Sequence, residues 1–285
     1  MKNIITAFWK IVVLTIVFFV INSVMGVILP LSNDMMAAMS SSDQAIFSPL
    51  FLLNVFINMT VMYLMLIHMR FRSWKLWLIV WLAFFGLFNF MNAVELYWYN
   101  EAFPLFTYLD VTKLILIALI AYGVSTLVGT WLVKGFKPEE LARQTSFDVG
   151  RFGWKVLLFC VAYSLFYYCC GFIPWMIPEV REFYANWALT MEPIPVLLLF
   201  NVFRGALWLV FSLPVLMGAR NRKSAYWLMP LVLFAGTAGA TIIPSAVMPG
   251  IVRLGHFIEL GFSMSVVGVF MVWLFLKEQQ QKEMR

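Results

Sequence analysis

Arg253, His256 and Glu259 recur every three residues in an apolar stretch near the C-terminus, and Ser263 follows one turn later. On a helix turning about 100° per residue, the three stay within about 120° of one face, and Ser263 falls there too. One helix then presents a fixed cation, a titratable imidazole, a carboxylate and a hydroxyl. Such a set can exchange a proton near neutral pH and hold an anionic group.

Three other stretches carry related stripes. Asn89, Asn92 and Glu95 are again three apart, Asp110 and Lys113 share a helical face, and Asn201 precedes Arg204 by three. Arg204 stands out, because it lies near the middle of an apolar run, too far from either end to snorkel easily. A guanidinium fixed there suits a carboxylate or phosphate on a ligand. Together Lys113, Arg204 and Arg253 could balance Glu95, Asp110 and Glu259. That balance would make a water-accessible polar cavity tolerable inside an apolar bundle.

Each stripe also has a plainer account. Lys113 and Asp110 are the residues expected at a membrane interface, the asparagines commonly join helices, and buried ion pairs can serve as registry devices. His68, beside Arg70, reads as an ordinary solvated histidine.

The elements that must position these residues follow from composition. The 285 residues are 63% hydrophobic and 12% charged, too few polar side chains to cover a water-soluble surface. The apolar residues fall into runs of about 20 or more, the length a helix needs to cross about 30 Å of hydrocarbon. The expected fold is an all-α polytopic transmembrane helix bundle of about eight spans, at 8–29, 46–69, 74–98, 108–134, 154–176, 194–217, 226–247 and 251–276. The first could be mistaken for a secretory signal, with small residues following around Met36 to Met39, but its apolar core is longer than an h-region.

Sixteen of the 20 lysines and arginines fall at one set of loops and ends if the N-terminus is cytoplasmic; Arg181 alone falls opposite, and Lys113, Arg204 and Arg253 lie within spans. The positive-inside rule therefore places both termini in the cytoplasm. Short loops fit a bacterial cytoplasmic (inner) membrane. The net charge of +6 is dispersed among those loops, which argues against nucleic acid as a partner.

A polar connection at 135–153 divides the chain into halves at 1–134 and 154–285. Phe8-Trp9-Lys10 resembles Gly153-Trp154-Lys155, and Leu53-Asn54-Val55-Phe56 resembles Phe200-Asn201-Val202-Phe203, with Pro49 and Pro195 upstream. These matches suggest a 4+4 parallel internal repeat about an axis along the membrane normal. Gly236, Gly239 and Ala240 predict close helix packing in the seventh span, followed by a kink at Pro244.

No phosphate-binding loop, nucleophile elbow or clustered histidine pair is present, and Cys160, Cys169 and Cys170 have no ligand spacing, so no cofactor and no metal are expected. The favoured function is a small secondary transporter or permease, with an outward-facing cavity for an anionic or phosphate-bearing substrate. Its site would use Arg204, Arg253, His256, Glu259, Glu95, Asn92, Asn201 and Lys113. A non-catalytic accessory or assembly subunit of a membrane complex is the alternative. An intramembrane enzyme acting on a lipid-linked substrate comes third, weakened by the lack of a clear nucleophile, and no catalytic residue is assigned. The expected partners are the bilayer, a small anionic or lipid substrate, and further copies or subunits in a complex.

Overall fold

The computed structural model describes residues 2–34, 44–99, 107–137, 145–186, 193–244 and 248–278. Small residues at Met36 to Met39, the Pro138–Glu140 part of the polar connection, and the basic residues Arg143, Lys282 and Arg285 lie outside them.

Nine helices form among the described residues. They are α1 (Lys2–Ile28), α2 (Gln44–His68), α3 (Ser73–Trp98), α4 (Tyr108–Leu132), α5 (Phe152–Trp175), α6 (Pro178–Asn186), α7 (Ile194–Gly218), α8 (Arg222–Thr241) and α9 (Gly250–Phe275). All but α6 and α8 are long and apolar enough to cross a membrane, seven in total. The protein is accordingly a multi-pass membrane-type helical protein. Helix α8 begins with Arg222-Lys223-Ser224 and is rich in Gly, Ala and Thr, which lowers its hydropathy. It buries Leu228, Val232, Ala235, Gly236 and Gly239, so protein covers much of a surface that need not suit lipid. It ends at Thr241, so Pro244 lies beyond the helix and kinks nothing within it.

Local signals set several helix starts. Thr107 caps α4, its hydroxyl oxygen accepting from the Asp110 amide at 3.0 Å, and Asn221 caps α8 by accepting from the Ser224 amide at 2.6 Å. Pro195 occupies the first turn of α7, where its missing N–H costs nothing.

Helix contacts before and after the polar connection follow a similar pattern. Helix α1 lies against α2 and α4, and α3 against α4; likewise α5 lies against α7 and α9, and α8 against α9. Across the halves α2 meets α8, and α3 meets α7. Small residues allow these approaches, as a Cβ on Gly268 would come 2.7 Å from the Pro230 nitrogen and one on Gly236 2.7 Å from the Leu87 carbonyl oxygen. The indole nitrogens of Trp77 and Trp81 donate to Gly123 and Leu119 carbonyls, fastening α3 to α4 with donors that lipid could not satisfy.

At the end where α2 and α7 terminate, called here the basic end, the two following turns pair. Met69 and Ala219 form an antiparallel bridge, and the Arg70 amide donates to the Gly218 carbonyl at 2.8 Å. Nearby, β1 (Thr145–Phe147) pairs antiparallel with β2 (Leu276–Glu278). The fold is helical as expected, and this one small sheet clips the polar connection to the end of α9. Asp148 reinforces the clip, bridging Lys155 at 2.5 Å and Lys277 at 2.8 Å. The bonds from Lys155 and then Lys277 hold its carboxyl well below the usual carboxylate range.

Candidate functional site

Helix α3 is not a uniform α-helix. It is α-helical over Ser73–Phe85, makes a π turn over Gly86–Phe90, and resumes as an α-helix over Met91–Trp98. A π turn inserts an extra residue into the helical winding and rotates everything beyond it, which is why such turns often mark functional sites. Here it sets the direction of Glu95. Phe211 of α7 crowds the turn, lying 2.1 Å from where a Cβ on Gly86 would stand.

Glu95 meets Arg204 of α7. The Arg204 Nη2 donates to Glu95 Oε2 at 3.1 Å, and Nη1 donates to Asn201 Oδ1 at 3.3 Å. Asn201 in turn donates to the Tyr168 hydroxyl at 3.3 Å and to the Leu197 carbonyl at 3.0 Å. The guanidinium lies 5.0 Å from the Tyr167 ring centre and 5.7 Å from that of Phe200. Trp98 stacks on Phe200 with ring centres 4.0 Å apart, covering the pair from the helix end. The Arg204 side chain is 5% exposed, whereas Glu95 is 35% exposed. Arg204 Nε is buried and unpartnered among the described residues.

A second group lies along α9 and α6. The Tyr184 hydroxyl is 2.5 Å from His256 Nε2, and His256 Nδ1 is 2.8 Å from Glu259 Oε2. Burial, and next the Glu259 and Glu95 charges, push the Tyr184 hydroxyl above its usual range. Tyr184 therefore keeps its proton and can donate to Nε2, in which tautomer the Nδ1–H donates to Glu259. Stacking on Trp175, with centres 6.0 Å apart, holds the tyrosine in place. Gly255 lets α9 approach the end of α5, its Cβ position being 3.3 Å from Pro174.

Tyr167 links the two groups, within electrostatic reach of Glu95, Arg204, Glu259 and Tyr99. Measured from helix starts at 1.5 Å per residue, His256 lies about 9 Å, Glu259 about 14 Å and Arg204 about 15 Å into their helices. The hydrogen-bonded series from Tyr184 thus runs from a short terminal helix to a buried carboxylate at the depth of the Arg204 backbone.

Of the residues singled out by the sequence, Glu95, Asn201, Arg204, His256 and Glu259 are brought into these two groups. Arg253 is not. It sits 120° round from Glu259, and its Nη1 donates to the Ile242 carbonyl at 3.3 Å beyond α8, where it lines a surface pocket with Thr241, Gly250, Leu254 and Phe257. Lys113 is also elsewhere, donating to the Pro30 carbonyl at 2.5 Å, while neighbouring Asp110 accepts from the Ser32 amide. That pair docks the segment following α1 onto α4. Asn92 bonds the Phe88 carbonyl of its own helix at 3.3 Å.

Sequence reasoning missed Tyr184, Tyr167 and Tyr168. Pro178-Glu179 carries a helix-start signal, proline followed by an acid in the first turn, that could have revealed α6 and its tyrosine. No group of three or more His, Cys, Asp or Glu able to hold a metal occurs among the described residues. No protein-family model matches this chain, and no curated protein or solved structure is significantly similar to it.

Proposed function

We propose that the chain is a small proton-coupled carrier of anionic or phosphate-bearing solutes. In this reading eight spans, α8 included, form two four-helix halves, with the basic end in the cytoplasm of a bacterial-type cell. The observation that carries it is the hydrogen-bonded series Tyr184, His256, Glu259, which leads from α6 to a buried carboxylate within electrostatic reach of Tyr167, as the Arg204–Glu95 pair also is. Glu259 takes up the coupling proton through His256. Arg204, with its unpartnered Nε, exchanges Glu95 for the anionic group of the solute. The matching helix contacts in the two halves support the repeat, and the arginine-rich turns support the orientation.

The test is solute-driven acidification in proteoliposomes loaded with a pH-sensitive dye, screened with small carboxylates and phosphate esters. A signal in the wild type that disappears in Glu259→Gln, with unchanged insertion, supports the reading. Transport that persists with its proton movement intact in that variant refutes the coupling role.

A second reading is an accessory subunit whose polar contacts dock helices. It is favoured by Arg253 and Lys113, which are both spent on helix-end carbonyls rather than on a shared cavity. It predicts no solute-dependent signal, together with loss of stability when Arg204 or Glu95 is removed.

A further inference from the structure

At the basic end, a second concentration of charge stands apart from the proposed carrier site. Arg72 and Arg220 follow α2 and α7 on the two turns that the Met69–Ala219 bridge ties together. Arg72 is locked in place, its Nη1 donating to the Met69 carbonyl at 3.0 Å and the Phe71 carbonyl at 2.8 Å. Its proton affinity is lowered, first by burial and then by the Arg220 charge, so these two cations repel across the bridge. Arg222 is next, its Nη2 donating to the Tyr226 hydroxyl at 3.1 Å and its buried Nε unpartnered among the described residues.

Helices α3 and α8 both begin at these turns, at Ser73 and Arg222, directing the positive ends of two helix dipoles to the same place. Among the described residues no carboxylate is paired with these arginines. At this end the carboxylate with a described side chain is Asp148, and Lys155 and Lys277 already hold it. Topology alone asks for positive charge in a loop. It does not ask that arginines from two separate loops be held against one another by backbone pairing.

We infer that the paired turns form a phosphate-binding site, in which Arg72, Arg220 and Arg222 hold the phosphate of an anionic membrane lipid. Guanidiniums match phosphate oxygens with paired N–H bonds, and basic pockets between spans on the cytoplasmic side suit lipid headgroups. The site would join the two halves through a lipid where their backbones already meet.

The experiment measures phosphatidylglycerol binding to the purified full-length chain by native mass spectrometry, with phosphatidylcholine of the same acyl chains alongside. Wild type is expected to prefer phosphatidylglycerol, and Arg72→Gln/Arg220→Gln to bind it at least about tenfold more weakly, as expected for lost charge-assisted bonds. Arg220 is exposed, so Arg220→Gln alone should fold and still weaken binding about threefold or more. A control, Lys10→Gln/Lys137→Gln, removes equal charge from the same end and should retain wild-type binding. Equal binding of both lipids, undiminished binding in Arg220→Gln, or an equal loss in the lysine control each overturns the proposal. Inorganic phosphate that competes off the lipid at millimolar concentration confirms the phosphate chemistry. If inorganic phosphate alone raises the melting temperature as much as the lipid does, the occupant is free phosphate held by the same arginines.

Discussion

Removing one partner of the Arg204–Glu95 pair should have unequal costs, because the two are unequally buried. Arg204 is 5% exposed and keeps its charge, whereas Glu95 is 35% exposed. Orphaning a charge in a fully buried pair costs about 3–5 kcal/mol. Glu95→Leu leaves the buried guanidinium with Asn201 and two ring faces, so its cost should be at the lower limit, about 3 kcal/mol. Arg204→Met leaves a carboxylate that is already one-third exposed, and should cost about 1 kcal/mol. The double variant has no charge to orphan and should cost little more than Arg204→Met, giving a coupling of about 3 kcal/mol. Glu95→Gln keeps an acceptor oxygen and should recover about half of the Glu95→Leu loss. Unfolding in mixed micelles with increasing sodium dodecyl sulfate, followed by the fluorescence of the 12 tryptophans, measures each value. Strictly additive costs, or a larger cost for Arg204→Met than for Glu95→Leu, would refute the argument that this pair holds α3 to α7.

Three further outcomes are expected. Tyr184→Phe keeps the ring on Trp175 but removes the donor to His256, so in proteoliposomes it should slow solute-driven proton uptake at least about tenfold while leaving the melting temperature nearly unchanged. Asp148, with its carboxyl held low by two lysines, adds stability that is present above the ordinary carboxylate range near about pH 4 and is lost as pH falls through its depressed value. Asp148→Asn should therefore melt below wild type at pH 6, with the gap closing as the pH is taken from about 4 toward 2 in thermal scans. Gly268→Ala, whose methyl would press on the Pro230 backbone, should lower stability by about 1–3 kcal/mol, while Gly153→Ala, with open space around it, should be near neutral.

Hydrophobic run length was enough to locate the seven long apolar helices, because a span must be long and apolar whatever its neighbours. Charge position and three-residue spacing were enough to find Glu95, Arg204, His256 and Glu259. The direction each side chain takes was less legible. Arg253 shares a broad face with Glu259, yet 120° of rotation suffices to send one to α8 and the other toward α5. The π turn at Gly86–Phe90 could not be read from the stripe Asn89, Asn92, Glu95, since a regular spacing in sequence says nothing of an inserted residue in the winding. Tyr184 escaped because α6 is too short and polar for any apolar window to reveal it. The β1–β2 clip joins segments more than 120 positions apart, beyond the reach of local pattern.

The Met69–Ala219 bridge ties the ends of α2 and α7 by backbone pairing, whereas side chains make the contacts further along, and that has a mechanical consequence. Helices α2 and α7, at 25 residues each, are levers of about 37 Å anchored at the bridge. Tilting one half against the other by about 5° would scarcely disturb backbone hydrogen bonds at the fulcrum, yet it would part the free ends by about 3 Å. Arg204 lies 14 residues from the fixed end of α7, so there the same tilt gives about 2 Å. That is enough to stretch a 3.1 Å ion pair beyond hydrogen-bonding distance. The Arg204–Glu95 contact would thus act as a latch on a pair of tongs, released by a rotation too small to unpack the pivot.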